Sequence, residues 1–376
     1  MDNTTIKNSF GKWLKPLCSK PFYELVETLA LDRYIKKFIA FDYIKLMLHA
    51  QLQERDCLRA IVADLAVPEF QRVLNMDAIS ISQLSRKHNQ FDTDLLCTMF
   101  QHLVGLIQNK QLKKKAFLQK DLRIIDSTTI SMCLSKYPWA SFRETKAGIK
   151  VHTRIRFVND PKDVYPDRIT ITPAEQHDRT QLESLVDHNC GDTTYVFDRG
   201  YLDLGVFDDY CEKGTFFVSR IKSNTVRESM MTNQPTHADI LSDEMVYLGK
   251  GPKKTANAFR LIKTTDSKGN VIEIVSNHFL KESEEIAEMY RSRWAIESFF
   301  KWLKQHVEIK KMYGTSEKAV HNQVLIALIA HALTLLLKLE TYPKSNVSLL
   351  EITRKLKALL WKSITKLNHA IRGVPT

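Results

Sequence analysis

Apolar residues recur at helical spacing from Phe10 to about Lys115, in segments such as PFYELVETLALDRYIKKF and DTDLLCTMFQHLVGLIQNK separated by short turns. This stretch reads as almost entirely helical. The pattern then changes to strands. DLRIIDSTTI reads as a strand with Asp126 at its end. GIKVHTRIRF alternates strictly, with Ile149, Val151, Thr153, Ile155 and Phe157 on one face and Lys150, His152, Arg154 and Arg156 on the other. DRITITPAE follows, then a helix from Arg179. TTYVF is a short buried strand running into DRGYLD, which puts Asp198 at a second strand end, and TFFVSRIK is a further strand. Three strands able to pair as a meander, then helix, strand, helix, strand and a final helix, predict a mixed α/β sheet with helices packed on it.

Residues 223–280 interrupt that plan. MVYLGKGPKKTANAFRLIKTTDSKGNVIEIVSNHF holds two or three alternating stretches and the turn SKGN, which predicts a small β-rich insertion of hairpins. Two apolar helices follow from about Val324. The longest apolar run, VLIALIAHALTLLL, is short for a membrane span and contains His331, so it reads as a buried helix. The basic tail TRKLKALLWKSITKLNHAIRG reads as a surface helix on the core or as a DNA-facing one.

The final helix before that run, YRSRWAIESFFKWLKQH, spaces its polar residues unusually. At about 100° per residue, Arg293, Glu297 and Lys304 lie roughly 300°, 340° and 320° around the axis from Tyr290, an arc of only about 60°. Beside it runs an apolar stripe of Met289, Ile296, Phe299, Phe300 and Leu303. Ser283 with Glu284 and Glu285 supplies an N-cap and an acidic first turn. The polar arc reads either as a solvated face with a Glu297–Lys301 pair or as a carboxylate flanked by cations and a hydroxyl for phosphate chemistry with a metal.

Composition narrows the choice. The chain has 376 residues, 44% hydrophobic and 26% charged, enough for two or three domains. Lys and Arg outnumber Asp and Glu by 55 to 43, which favours a polyanionic partner. The six scattered cysteines show no metal-binding spacing, and the N-terminus lacks an apolar signal segment, so the expected setting is cytosolic. Within the helical region, DAISISQLSRKHNQF has Ser80 or Ser82 as a cap and a short helix showing Arg86, Lys87 and Asn89. It reads as a solvated helix or as the second helix of a helix-turn-helix. The Lys113–Lys115 run marks a domain boundary.

Asp126 and Asp198 each end a strand, the first and fourth of the core, and these two are natural neighbours in such a sheet. With Glu297 on a late helix beside the sheet, three carboxylates can converge. Oxygen ligands without a His or Cys cluster suit Mg²⁺ or Mn²⁺. Two such ions about 3.5–4 Å apart would serve the two sides of a phosphodiester.

The motifs IIDSTTI, FDRGYLD and YRSRWAIESFFKWLK resemble those of the bacterial DDE transposases of insertion sequences, the cut-and-paste group with a Y-R-E-K signature. Tyr290, Arg293, Glu297 and Lys304 match that signature in full, and the resemblance spans about residues 115–340. The helical N-terminus is loosely similar to the accessory domain that many of these enzymes carry. The resemblance implies a ribonuclease-H-like mixed-sheet core, in parts 116–222 and 281–340 around the 223–280 insertion. An all-helical domain at 1–115 would precede it and a basic tail at 341–376 would follow. It also implies two Mg²⁺ ions, replaceable by Mn²⁺, and double-stranded DNA as partner, both as inverted-repeat ends and as target. A homodimer in the synapse, a bacterial cytoplasmic location at the nucleoid, and no membrane or organic cofactor complete the expectation.

By the same resemblance Asp126, Asp198 and Glu297 are the catalytic metal ligands. Tyr290, Arg293 and Lys304 hold DNA phosphates and help stabilise a hairpin on the excised end. Trp294 either stacks on an unpaired base or is partly buried in the core. Arg199 reaches a phosphate or braces Asp198. Tyr201, Lys150 and His152 are DNA-side candidates; Lys150, His152 and the His177–Asp178 pair lie near the cleft, with His177 read as a structural cap ahead of a catalytic residue, and Arg86, Lys87 and Asn89 are candidates for end recognition. Two other classes compete: a nuclease with the same core but no strand transfer, and a transposase-derived DNA-binding regulator. The second would need none of the three carboxylates.

Overall fold

The computed structural model describes residues 8–76, 78–111, 121–158, 163–235, 237–266, 268–306, 312–342 and 347–372. The Lys113–Lys115 boundary falls outside them. Seven helices come first: α1 (Ser9–Leu14), α2 (Lys20–Thr28), α3 (Ala40–Leu52), α4 (Leu58–Ala63), α5 (Pro68–Leu74), α6 (Ile81–Gln90) and α7 (Thr93–Gln111). Strands β1 (Leu122–Met132), β2 (Ser141–Arg143), β3 (Lys146–Phe157) and β4 (Val164–Pro173) lead to α8 (Asp178–Leu185). Then come β5 (Thr194–Phe197), α9 (Leu204–Glu212), β6 (Phe216–Arg220), β7 (Arg227–Asn233), β8 (Ile240–Leu248), β9 (Phe259–Thr265) and β10 (Val271–Ser276). The chain closes with α10 (Ser283–Arg291), α11 (Trp294–His306), α12 (Glu317–Thr341), α13 (Leu349–Ala358) and α14 (Ile364–Arg372).

These elements form two compact units. One gathers Met1–Lys114, Met132–Trp139 and Trp302–Thr376. The basic tail therefore folds with the N-terminal helices instead of standing as a segment of its own. Its amphipathic helices α13 and α14 bury Ile352, Leu356, Leu367 and Ile371, as the surface-helix reading requires. At the centre of this unit α12 packs against α7, α3 and α6. By length and composition α12 could cross a membrane, but 78% of its most apolar window is buried inside the protein, the condition of a core helix. The indole of Trp13 donates to Thr334 Oγ1 at 3.2 Å, so this buried polar pair on α12 is satisfied.

The second unit, Lys115–Ser131 with Ala140–Lys301, is built on one mixed sheet of ten strands. Its order is β2-β3-β1-β5-β6-β10-β9-β8-β7, with β4 paired to β3. The middle strands β1, β5 and β6 are parallel, and β5 is buried along its whole length. Strands covered on both faces read as unbroken apolar runs, which is why TTYVF shows no alternation. The segment 223–280 folds as strands β7–β10 of this same sheet. Its strands continue the sheet, because β10 pairs antiparallel with β6, Val275 facing Ser219. That pairing covers an edge that β6 would otherwise expose. In the GKGPKK turn after β8, Gly249 takes φ +82° and a Cβ there would meet the Lys253 carbonyl at 2.2 Å, so only glycine fits.

Candidate active site

Two neighbouring parallel strands bring the first two acids together, although Asp126 lies within its strand and not, as expected, at its end. Ile125 on β1 pairs in parallel register with Phe197 on β5, and Asp126 and Asp198 each follow one residue later. The parallel geometry forces them to emerge side by side. β1 runs on past Asp126 to Met132, whereas β5 stops: Asp198 sits at the start of a 3-10 turn over Arg199–Tyr201. The expectation of neighbouring first and fourth strands holds.

The third acid arrives differently from the sequence expectation of one helix. The helix begins at Ser283, with Glu282 at the capping position, one residue before the predicted cap, and it breaks at Ser292–Arg293. Ser292 Oγ donates to the Glu288 carbonyl at 3.0 Å, the local bond by which serine bends helices. The next amides tighten to three-residue spacing, Ala295 to Ser292 and Ile296 to Arg293, both at 3.1 Å. The single polar arc counted on an unbroken helix is therefore split between α10 and α11. The side chains converge nonetheless. The Tyr290 hydroxyl donates to Asp198 Oδ1 at 3.2 Å. Arg293 donates to Glu297 Oε1 at 2.7 Å and to Asp126 Oδ2 at 3.4 Å. The guanidinium thus links two of the three acids. The predicted apolar stripe is buried, Ile296 and Phe299 included.

Burial pushes the Asp126 carboxyl up to about 6, with Asp198 and Asp178 adding to the rise and the Ser127 amide and Arg293 opposing it. The Tyr290 hydroxyl is pushed up to about 12, first by burial and then by Asp198, so it stays a donor. As they stand, no three His, Cys, Asp or Glu side chains among the described residues gather closely enough to hold an ion. The donor chemistry still fits a hard divalent cation. The acids present only oxygens, and Asp126 remains raised despite its single long contact with Arg293. A cation would relieve that cost.

Beside Asp126 lies a polar network in which Ser127 joins residues that the sequence placed near the cleft. Ser127 N donates to Asp126 Oδ1 at 2.8 Å, and Ser127 Oγ donates to Asp178 Oδ1 at 2.6 Å. Lys150 Nζ stands 3.2 Å from the same oxygen and donates to the Gln176 carbonyl at 2.7 Å. His152 is fully buried, paired through Nε2 with Thr172 Oγ1 at 3.0 Å, and burial pushes its pKa down to about 4. The available signal was the serine directly after Asp126.

Several DNA-side candidates turn out to be internal. His152 is inaccessible because both faces of β3 are covered, and Lys150 is committed to Asp178 and Gln176. On the same strand Arg154 is buried against Asp167. Tyr201 is 1% exposed among Phe197, Phe207 and Phe217, so it supports the site from below. His177 stands before α8 but makes no side-chain cap; its carbonyl receives Thr180 instead. In α6 the cap is Ser80, in a full capping box with Gln83. Lys87 lies over the Phe91 ring, and Asn89 is tied to Ser85 and Ser316. Arg86 alone of those three is exposed. Trp294 is 61% exposed, which removes the core-burial alternative. Arg199 is exposed beside Asp198, and Lys304 is exposed beyond the unit boundary within α11. A cavity of about 610 Å³ lined by Leu122, Thr194, Phe216 and His278 opens at the opposite ends of the same strands, away from the acids.

A family model described as the transposase DDE domain matches residues 118–333, which encloses Asp126, Asp198 and Glu297. The chain belongs to the DDE transposases. A second model, described as a domain of unknown function, matches residues 5–70. This transposase is 30% identical over 271 residues to a chain named as a transposase of insertion sequence element IS5377 from Geobacillus stearothermophilus, covering 71% of this chain and 70% of that one. It is 32% identical over 221 residues to a chain named as transposase y4zB from Sinorhizobium fredii, at 56% and 59% coverage. With a chain named as a transposase of element IS4SA from Synechocystis it shares 27% over 314 residues, at 79% and 82% coverage. Against the cryo-EM structure of a piggyBac transposase synaptic complex with hairpin DNA the TM-score is 0.46, at 9% identity over 99% of this chain and 86% of that one. That likeness supports no conclusion.

Proposed function

We propose that this transposase binds the ends of its own insertion sequence and cuts and rejoins DNA strands at Asp126, Asp198 and Glu297. The observation that carries the proposal is the parallel pairing of β1 with β5, which sets two aspartates side by side, with Glu297 linked to Asp126 through Arg293. The three carboxylates would hold Mg²⁺, or Mn²⁺ in its place. When bound, such ions supply an activated oxygen nucleophile and a stabilised leaving oxygen.

The chain's own residues divide the remaining work. Tyr290 orients Asp198 through its hydroxyl. Arg293 screens Asp126 and Glu297 from each other and can turn its donors to a DNA phosphate as the strand settles. Trp294, exposed one residue on, is placed to stack on an unpaired base. Arg199 and Lys304 are exposed cations for phosphates. Tyr290, Arg293 and Glu297 act as members of the Y-R-E-K set, gripping the bent end of a hairpin intermediate, and Lys304 is the fourth residue of that signature. The finer fold assignment is a ribonuclease-H-like core extended by the β7–β10 hairpins. A homodimer joins two ends, and the helical unit, with Arg86 on its surface, recognises them inside the bacterial cytoplasm.

The test is cleavage of end-labelled DNA carrying the terminal repeats. Asp126→Ala, Asp198→Ala and Glu297→Ala should each abolish nicking in Mg²⁺ while DNA binding survives. Full activity of any one variant removes that residue from the site. A supercoiled plasmid bearing both ends separates transposition from simple nuclease action, since joined products arise only from strand transfer.

A further inference from the structure

We infer that Asp178 is a positioning residue for Asp126, acting through Ser127. The inference rests on the proposal that Asp126 holds metal. Ser127 makes two directed bonds at once: its hydroxyl donates to Asp178 Oδ1 at 2.6 Å, and its amide donates to Asp126 Oδ1 at 2.8 Å. The short hydroxyl bond fixes how Ser127 sits on β1, and the amide in turn fixes one oxygen of Asp126. Asp178 is held from behind. It is the first residue of α8, and Lys150 stands 3.2 Å from the oxygen that Ser127 uses.

Lys150 is itself braced by the Gln176 carbonyl at 2.7 Å. On the other side the buried His152 turns Nδ1, which has no hydrogen-bond partner, toward Asp178 Oδ1 at 3.6 Å. The hairpin of β3 and β4 thereby positions a carboxylate on a different strand. Because Lys150 already balances its charge, Asp178 works as an acceptor, not as a fourth metal ligand. Groups that orient metal ligands from outside change metal affinity by about 10–100-fold when removed.

The experiment measures Mn²⁺ affinity by calorimetry on the full chain, with thermal melting and DNA affinity followed in parallel. Asp178→Ala and Ser127→Ala should each weaken Mn²⁺ binding by about tenfold or more. The double variant should be no weaker than either single one, since both break the same link. Asp178→Asn keeps an oxygen acceptor for Ser127 and should recover affinity to within about threefold of the natural chain. Melting and DNA binding should hold in Ser127→Ala, the gentler substitution. The inference is overturned by additive losses in the double variant, by unchanged Mn²⁺ affinity in Ser127→Ala, or by no recovery in Asp178→Asn. If Asp126→Ala binds Mn²⁺ as well as the natural chain, the metal assignment itself falls, and Asp178 with it.

Discussion

Two arginines in the sheet unit each stand between two carboxylates, and they do opposite things. Arg154 on β3 makes a two-bond fork to Asp167 at 2.8 and 2.9 Å and reaches Asp187 at 2.6 Å and the Leu185 carbonyl at 2.8 Å. Four of its five N–H donors are used. Burial opposes its charge, but the two aspartates outweigh that and raise its pKa. Asp187, despite its own burial, is drawn below the usual carboxylate range by Arg154 and Arg168. Arg293 has fewer bonds to its acids, one at 2.7 Å to Glu297 and a longer one at 3.4 Å to Asp126, and Asp126 stays pushed up to about 6. A structural arginine satisfies its acids. Arg293 leaves Asp126 short of positive charge.

The largest effect should come from breaking the satisfied cluster. Arg154→Ala leaves Asp167 buried without its partner, and removing one member of a buried pair costs about 3–5 kcal/mol. Urea unfolding measures it; a loss under about 1 kcal/mol would make Arg154 as dispensable as a surface charge and end the contrast.

Arg293→Ala should barely change unfolding stability yet strike a late reaction step. A charged hydrogen bond is worth about 1.5–3 kcal/mol, roughly tenfold to over a hundredfold in rate if it forms only at that step. In a time course on end-labelled duplex, nicked intermediate should accumulate. A parallel fall of nicking and later products would assign Arg293 to general binding or folding.

The smallest effect is a pH slope. Folded Asp126 keeps its proton up to about pH 6, whereas the unfolded chain releases it near the ordinary aspartate value of about 4. Between those values the native state binds more protons, so this group's contribution to stability falls as pH rises, by at most about 1.4 kcal/mol per unit. Asp187, with its lowered pKa, has the opposite sign and loses stability as pH falls. Without added metal, Asp126→Asn should flatten the first slope, read from urea midpoints at pH 4.5 and 6.5. An unchanged slope would mean that Asp126 is not held up by its surroundings.

Much of the candidate site was legible because each apolar strand run ends on its acid: IID and VFD mark Asp126 and Asp198 without any structure. What the sequence hid has physical causes. Periodicity cannot see the Ser292 back-bond that divides the last helix, since Tyr-Arg-Ser-Arg-Trp contains no proline or glycine. Strict alternation in GIKVHTRIRF correctly gave two faces, but not that both are covered, so His152 and Arg154 looked solvent-facing. Lys87 and Asn89 had surface chemistry in sequence, and local partners claimed them. The continuity of β7–β10 with the core depended on which edge needed covering, a property of the assembled sheet.

The central claim is that Asp126, Asp198 and Glu297 share a divalent-cation site. Its most direct test is to load the chain with Fe²⁺ in place of Mg²⁺ and map backbone cuts made by locally generated hydroxyl radicals. Cuts clustered near residues 126, 198 and 293–297, suppressed by excess Mg²⁺ and absent in Asp126→Ala, are the predicted result. Cuts elsewhere, or the same cuts persisting in Asp126→Ala, would contradict it.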